Sequence, residues 1–408
     1  MEKQMLLING ERLKQTILQF AEFGKTKAGG VTRLSLSEED LQARNYFLSI
    51  CKELGMNVFW DDMANMYAVL QGTDSTKPPI VIGSHLDSVE KGGKFDGALG
   101  VIAGIEIVRT LIENNITPKI PIIIVNFTNE EGARFEPSLM ASGVLSGKFD
   151  KEKMLQSTDK HGITFGQALQ ESGFAGSVEN RLKEAKAFFE MHIEQGPVLE
   201  SEKKTIGIVE CVVGMVCYEV EVTGKSNHAG TTPMYLRKDA LFTANELIHF
   251  VRDHLGDLDE ELVFTIGRMD VSPNIHTVIP NKVVFTIESR HKSPAMIQKV
   301  EQVIQELPKF GGACKVTVKK LWDRETVWFE ENLVQSLEES AKELGYSYKR
   351  MQSGAGHDAQ FIASYIPTAM LFVPSVNGIS HAEDEFTSFE DCEKGVNVLL
   401  QTVLKYIQ

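Results

Sequence analysis

Cysteine is scarce in this sequence, and one sign of charge outweighs the other. The chain of 408 residues contains 5 cysteines, and no two lie close enough together to form a CxxC redox motif or a zinc ribbon. Acidic residues number 56 and basic residues 42, which gives a formal net charge of −14. No basic tract is present to neutralise a phosphate backbone, so we expect no nucleic-acid partner.

Long apolar runs are also absent. The densest run, Ile120 to Val125, contains Pro121 and is far too short to cross a bilayer, so we expect no membrane span. The N-terminal residues lack an apolar core followed by a small-residue cleavage site, so they do not have the pattern of a secretory signal. We therefore predict a cytoplasmic protein.

The first half of the chain alternates helical and strand patterns. At about 150 residues per domain, the length predicts two to three domains. The pattern predicts a helix over 38–54, a strand at Ile80–Ile82, a helix over 98–113 and a strand at Ile122–Phe127. This βαβ order is typical of a mostly parallel sheet, in which functional sites form at the carboxyl ends of the strands. Similar patterns resume after residue 330.

The pattern between about 214 and 325 is different. It predicts strands at 218–223, 262–271, 282–289 and 315–321, with helices at 237–254 and 294–306. The order β-α-β-β-α-β is that of a split βαβ unit. We therefore predict an α/β catalytic domain, residues 1–213 and 327–408, that is interrupted by a smaller α+β, ferredoxin-like domain, residues 214–326.

Ionisable residues follow the first interior strand. His85 and Asp87 of SHLDSV lie two apart and share a face of the strand, so the imidazole can bind a metal while the carboxylate orients it or a neighbouring ligand. Asp96 lies in the glycine-rich turn GGKFDG just before a helix. A carboxylate at such a turn can return to the same point and bridge two ions.

Two further strands and a distant loop complete the set. Glu130 and Glu131 are adjacent in FTNEEGARF, so in extended chain one can bind a metal while the other acts as a general base. HIEQGP supplies His192, and GISHAEDEF supplies His381. These donors suit two divalent ions such as zinc, manganese or cobalt: His85, Asp96, Glu131, His192 and His381.

Each of these residues also has an ordinary structural interpretation. A single histidine near a strand end is more often a core or surface residue than a ligand, and adjacent glutamates are common at solvated ends. The glycines around Asp96 also fit a simple turn. The shared position at strand ends favours a site, because ligand sites form there in βαβ folds.

Seven motifs together resemble one family. SHLDSV, GGKFDG, FTNEEGARF, HIEQGP, SNHAGTTPM, SGAGHDA and GISHAEDEF are similar to motifs of the binuclear metallopeptidase-like amidohydrolases related to carboxypeptidase G and the aminoacylases. The resemblance is closest to the branch of N-carbamoyl-L-amino acid hydrolases, allantoate amidohydrolases and β-ureidopropionases. Gly97 follows Asp96 where peptidase relatives often have a second Asp, and His192 stands where they often have a carboxylate.

The resemblance implies a role for each motif. It implies that His85, Asp96 and His192 hold one ion, that Asp96, Glu131 and His381 hold the other, and that the ions are zinc, manganese, cobalt or nickel. Glu130 is then the general base. The inserted domain is the lid and dimerisation domain of a homodimer, and its His228 reaches the partner's active site, where an imidazole can stabilise an oxyanion.

The residues expected to contact the substrate match the family pattern less completely than the metal ligands do. It implies that Gln195 hydrogen-bonds the substrate and that Arg290 grips the substrate carboxylate. Thr277 stands where the family usually has an asparagine, so a hydroxyl replaces a side-chain amide. Gly356 and His357 are expected beside the site, and for His357 a role in the turn and a substrate contact both stay open.

The predicted function is metal-dependent hydrolysis of a C–N amide or ureido bond in a small carboxylate substrate. The resemblance points to an N-carbamoyl-L-amino acid or allantoate, with release of ammonia. An aminoacylase or dipeptidase on the same metal centre is one alternative. A non-catalytic dimeric scaffold is another, although Glu130 and the complete ligand set argue against it.

Overall fold

The structure is a computed structural model that describes residues 5–407. It divides the chain into two compact units: unit 1 comprises Met1–Glu210 and Trp328–Gln408, and unit 2 comprises Cys211–Val327. The predicted insert was 214–326, so unit 2 covers nearly the same residues. Its role as a lid or dimerisation domain stays a prediction.

The strands are β1 (Asn57–Trp60), β2 (Met66–Leu70), β3 (Ile80–His85), β4 (Ile122–Phe127), β5 (Ala187–Ile193), β6 (Ile206–Val212), β7 (Gly214–Thr223), β8 (Val263–Thr265), β9 (Met269–Ser272), β10 (Lys282–His291), β11 (Lys315–Arg324), β12 (Val327–Trp328), β13 (Tyr348–Ser353) and β14 (Thr368–Val373).

The α-helices are α1 (Gly10–Glu22), α2 (Glu38–Glu53), α3 (Ala98–Glu113), α4 (Met140–Leu145), α5 (Lys151–Leu155), α6 (Phe165–Ser172), α7 (Val198–Ser201), α8 (Ala240–Gly256), α9 (Pro294–Glu306), α10 (Glu331–Glu343), α11 (Asp358–Ile362) and α12 (Phe389–Ile407).

Unit 1 is built on a mixed sheet with the strand order β1-β2-β4-β3-β5-β14-β6-β12, and β13 pairs with β6. The central strands β4, β3, β5 and β14 are parallel, whereas β2 and β6 join them antiparallel. Every residue of these four strands is buried, as expected for parallel strands covered on both faces. The α/β prediction is therefore confirmed, and the carboxyl ends of the parallel strands lie together at one edge.

Helix boundaries in unit 1 follow local sequence signals. The side chain of Ser37 accepts a hydrogen bond from the backbone N–H of Asp40 and caps α2, and serine is among the residues that favour this position. The helix predicted over 98–113 is α3, and 13 of its 16 residues are buried. Because α3 packs against β3 and starts two residues after Asp96, the sheet determines where the preceding loop lies.

Unit 2 contains an antiparallel sheet with the strand order β11-β7-β10-β8, and β9 also pairs with β10. Alternate residues of β7 (Val216, Tyr218, Val220 and Val222) join residues of α8 and α9 in one apolar core. This half-buried alternation is the pattern from which the strand was predicted. The chain order and strand order are those of a split βαβ unit.

One strand prediction in unit 2 is wrong. The segment 262–271 was predicted as one strand, but it forms two short strands, β8 and β9, on the same edge of β10. Their registers differ by one position, since Thr265 faces Glu288 whereas Met269 faces Phe285. Gly267 lies in the interruption, and glycine inside a strand often marks such an irregularity.

Two features of the composition concern apolar helices and cysteines. Within residues 5–407, no helix is both long and apolar enough to cross a membrane. Cys51, Cys217 and Cys392 are buried thiols, and burial raises the pKa of each of them. Such thiols are poor nucleophiles, because the thiolate is the reactive form.

Candidate metal centre and active site

The predicted metal ligands of unit 1 come together at the carboxyl edge of its parallel strands. His85 is the last residue of β3, and His192 is the next-to-last residue of β5. Glu131 follows β4, and His381 lies in the loop after β14. Asp96 lies between β3 and α3. The ends of three parallel strands and two loops therefore bring these five residues together at one edge of the sheet.

Asp96 lies between two groups of donor atoms. Its Oδ1 is 3.2 Å from Nε2 of His192 and 3.6 Å from Nε2 of His85. Its Oδ2 is 3.3 Å from Nε2 of His381, which in turn is 3.4 Å from Oε2 of Glu131. Donors that share one tetrahedral ion about 2.0–2.1 Å away are about 3.3 Å from each other. Each oxygen of Asp96 therefore faces a separate group of possible metal donors.

The rings of His85 and His192 both direct Nε2 toward Asp96. Nδ1 of His85 is 2.9 Å from the backbone oxygen of Asp87, and Nδ1 of His192 is 2.9 Å from the backbone oxygen of Ile193. A carbonyl only accepts, so Nδ1 carries a proton in both rings, and Nε2 is the nitrogen that would bind a metal. The backbone N–H of Gly97 points at Nε2 of His192 from 3.3 Å, which agrees with this tautomer.

Two buried atoms of the cluster lack hydrogen-bond partners among the described residues: Nε2 of His85 and Oε1 of Glu131. Burial, followed by the negative charge of Asp96, raises the pKa of Glu131 to about 8. Burial opposes protonation of His85, but the surrounding carboxylates, Glu130 first, raise its pKa well above the usual value. Divalent cations would bind these two unpartnered atoms and offset the negative charge of the clustered carboxylates, so the donor set fits metal binding.

Glu130 lies beside the cluster without belonging to either donor group. Its Oε2 is 3.4 Å from Nε2 of His85, and burial raises its pKa well above the usual value. The Asp87 carboxylate accepts the backbone N–H of Glu130 at 3.3 Å and that of Glu131 at 3.2 Å. Asp87 thus contacts His85 through its backbone oxygen and orients the two glutamates through its side chain.

Gln195 and His357 lie next to the same donors. The Gln195 amide donates to Oδ2 of Asp96 at 2.9 Å, and Gln195 has a left-handed φ of 57°. The ring of His357 lies 4.5 Å from that of His192, and its Nε2 is 2.9 Å from Oγ of Ser353. Gly356 precedes His357 in the loop between β13 and α11. Both predicted roles of His357 stay open.

The other predicted residues lie in unit 2. His228 is exposed and pairs across a short bridge with Val278, and Ala229 donates its backbone N–H to the backbone oxygen of Thr277 at 2.9 Å. The loops that carry His228 and Thr277 are therefore neighbours. On β10, Nε of Arg290 donates to Glu288 at 2.7 Å, so this guanidinium has an ion pair within unit 2.

Two positions shape the centre of unit 1 through contacts that the sequence pattern does not indicate. Glu385 is buried and accepts the backbone N–H groups of Phe95 and Asp96 at 3.3 and 3.2 Å. Gly97 has a φ of 63°, and a Cβ built there would overlap the His85 ring. The GISHAEDEF motif contained Glu385, but nothing local indicates that its partners lie 289 and 290 positions away.

The Gly97→Ala variant is expected to lose metal affinity. The added methyl would push the His85 ring away from Asp96, and loss of ligand positioning typically costs about 10–100-fold in metal affinity. The check is bound metal per chain after equilibrium dialysis. Gly173→Ala is the matched control, because Gly173 has a φ of 76° and an added Cβ there meets open space. Equal metal affinity in the two variants would contradict this account.

Comparison with known proteins identifies the family. The family model described as peptidase family M20/M25/M40 matches residues 81–405, which is most of the chain. The chain belongs to this family. All the candidate metal ligands in unit 1 fall within the matched residues of this M20/M25/M40 family member.

Similar proteins cover almost the whole chain. An N-carbamoyl-L-amino-acid amidohydrolase of Rhizobium meliloti is 39% identical over 98% of this chain and 96% of its own length. An allantoate amidohydrolase of Bacillus subtilis is 36% identical over 99% of each chain. The crystal structure of an amidase of the hydantoinase/carbamoylase family from Burkholderia multivorans has a TM-score of 0.94 and 39% identity over 98% of each chain. These similarities confirm the predicted branch of the M20/M25/M40 family.

Proposed function

We propose that this protein hydrolyses the ureido C–N bond of an N-carbamoyl-L-amino acid or of allantoate and releases the amine product, carbon dioxide and ammonia. The similar amidohydrolases support hydrolysis of an amide or ureido C–N bond, and they do not favour the aminoacylase, dipeptidase or scaffold alternatives. One observation of the site carries the proposal: Asp96 presents its two oxygens to two donor groups, and Glu130 lies beside them.

The residues that would hold two divalent ions divide into two groups. His85, Asp96 and His192 form the first donor group, and Asp96, Glu131 and His381 form the second. When bound, such ions lower the pKa of a water and polarise a carbonyl oxygen. Nitrogen and oxygen donors of this kind accept zinc, manganese, cobalt and nickel, and the choice depends on metal availability.

Glu130 is the proposed general base. Its carboxylate removes the proton from the attacking water and then donates it to the leaving nitrogen. The Asp87 carboxylate holds the backbone at Glu130, so the base keeps a fixed position during this transfer. Burial raises the pKa of Glu130, and this direction of shift makes its carboxylate a stronger base.

Unit 2 would supply the remaining contacts with the substrate. Arg290 would bind the substrate carboxylate through its guanidinium fork, and His228 would stabilise the oxyanion. Thr277 offers one hydroxyl in place of an amide, so recognition of a second polar arm is expected to differ from that of relatives with asparagine. Gln195, from unit 1, would hydrogen-bond the substrate.

We also propose a homodimer in which His228 acts on the partner's substrate. Three consecutive apolar residues near the His228 loop are strongly exposed: Met234 at 61%, Tyr235 at 85% and Leu236 at 62%. Adjacent exposed apolar side chains of this size are typical of protein contact surfaces. The cytoplasmic location stays a prediction from the sequence.

The test of the proposed activity is a substrate panel. The protein, dialysed and then loaded with manganese or cobalt, is incubated with N-carbamoyl-L-amino acids, allantoate, N-acetyl amino acids and dipeptides. We expect ammonia release from a carbamoyl amino acid or allantoate, with the amine product measured in parallel.

The control for the panel is protein treated with a chelator, which should release no ammonia until divalent metal is restored. Amino acid release from acyl compounds without ammonia would contradict the ureido assignment and favour the aminoacylase or dipeptidase alternative. Equal activity with and without chelator would contradict the metal centre itself.

A further inference from the structure

Glu385 joins two loops that carry metal donors, although it is not a donor in either group. It lies four residues after His381 and is 1% exposed. Its Oε1 accepts the backbone N–H groups of Phe95 and Asp96, and its Oε2 accepts the hydroxyl of Ser380 at 2.9 Å. One carboxylate therefore ties the Asp96 loop to the loop that carries His381.

Neighbouring atoms leave this carboxylate little freedom to move. A Cβ built on Gly93 would overlap the carboxylate of Glu385, so the glycine allows this close approach. Oγ of Ser380 is also 3.3 Å from Oδ2 of Asp96, the oxygen that faces His381. Glu385 therefore acts on the Asp96 side chain in two ways. It hydrogen-bonds the backbone N–H of Asp96, and it holds Ser380, which contacts the Asp96 carboxylate.

The two donor groups depend on these loops to different degrees. In the first group, His85 and His192 belong to β3 and β5, which the sheet holds in place. In the second group, Asp96 and His381 both come from loops, and their separation of 3.3 Å depends on how those loops meet. Two side chains hydrogen-bond residues of both loops: the buried Glu385, and the half-buried Gln195, whose amide donates to Oδ2 of Asp96 at 2.9 Å and to Oγ of Ser380 at 3.2 Å. Of the two, only Glu385 holds the backbone of the Asp96 loop.

We propose that Glu385 is a positioning residue that sets the occupancy of the second ion, the one assigned to Asp96, Glu131 and His381. This inference rests on the proposed two-ion centre. Without the Glu385 carboxylate, the backbone of the Asp96 loop and the Ser380 hydroxyl lose their buried acceptor, and the second donor group opens although the Gln195 amide still contacts both segments. The first donor group keeps its strand-held histidines.

The conservative variant separates hydrogen bonding from negative charge. In Glu385→Gln, the amide oxygen can still accept the N–H groups of Phe95 and Asp96, and the amide nitrogen can donate to Ser380. Glu385→Ala provides none of these contacts. If positioning is the role, the glutamine variant restores what the alanine variant loses.

The experiment is equilibrium dialysis of the full chain against graded Co²⁺, with bound cobalt per chain and its visible absorption spectrum as readouts. We expect two bound cobalt ions in the unchanged protein and in Glu385→Gln. In Glu385→Ala we expect one tightly bound ion. The affinity for the second ion should be lower by about 10–100-fold, the usual range for loss of a group that orients a ligand. Thermal unfolding of each metal-free variant checks that the fold is intact.

Glu383→Ala is the matched control, because Glu383 is an acidic residue of the same loop. Among the described hydrogen bonds, none joins its side chain to the Asp96 loop, in contrast to Glu385. It should bind two ions like the unchanged protein. If Glu385→Ala does not fold, Ser380→Ala tests the same connection, and we expect a weaker second ion there too.

The outcomes distinguish this inference from the proposed function. Fewer than two ions in the unchanged protein would contradict the two-ion centre. If the unchanged protein binds two ions, three results would overturn the role of Glu385: full second-ion affinity in Glu385→Ala, equal weakening of both ions, or no rescue in Glu385→Gln. Unchanged second-ion affinity in Ser380→Ala would overturn it in the same way.

Discussion

Glu130→Gln is expected to lower kcat by about 10²–10⁴-fold, the range that general acid–base catalysis contributes, while both metal ions stay bound. Glutamine has nearly the same shape as glutamate, but it cannot take a proton from water at neutral pH. Glu130 lies 3.4 Å from Nε2 of His85 and belongs to neither donor group, so its replacement should leave the metal ligands in place. The measurements are kcat on the substrate identified by the panel and metal content per chain.

Glu131→Gln is the matched control, because it makes the same change one residue along the chain. Glu131 is a donor of the second group, so this variant should lose bound metal, and added metal should restore part of its activity. Glu130→Gln should not respond to added metal. Unchanged kcat in Glu130→Gln, or loss of an ion from it, would exclude Glu130 as the base.

The site could be predicted from sequence wherever a donor lies at a strand end. His85 and His192 follow apolar runs that form β3 and β5, and the carboxyl ends of parallel strands meet at one edge. Glu131 follows β4 for the same reason. Periodicity and one rule of topology were therefore enough to bring these residues together without any distance information.

Contacts between residues far apart in the sequence could not be predicted from these patterns. Glu385 looks like an ordinary surface glutamate in the sequence, and its burial depends on backbone groups almost 300 positions away. Gly97 has the sequence pattern of a turn glycine, whereas the structure also shows the His85 ring where a side chain would lie. The interruption near Gly267 was missed for a similar reason, since the register depends on pairing with β10.

His228→Ala is expected to lower kcat strongly while the metal content stays unchanged, because His228 is not among the candidate metal donors of the described residues. Loss of an oxyanion-stabilising group typically costs about 10²–10³-fold in kcat. His228 is exposed and its loop is held by backbone hydrogen bonds, so the substitution should have little effect on the fold. The measurements are kcat, bound metal and thermal unfolding.

The shared site makes a stronger prediction when two inactive variants are combined. Glu130→Gln and His228→Ala chains with different affinity tags are co-expressed, and the mixed dimer is purified through both tags. One of its sites then pairs an intact Glu130 with an intact His228 from the other chain, so the mixed dimer should regain about half of the wild-type activity. Each variant purified alone is the control. If His228 instead acted on its own chain, every site would lack one of the two groups, and the mixed dimer would be as inactive as its parents.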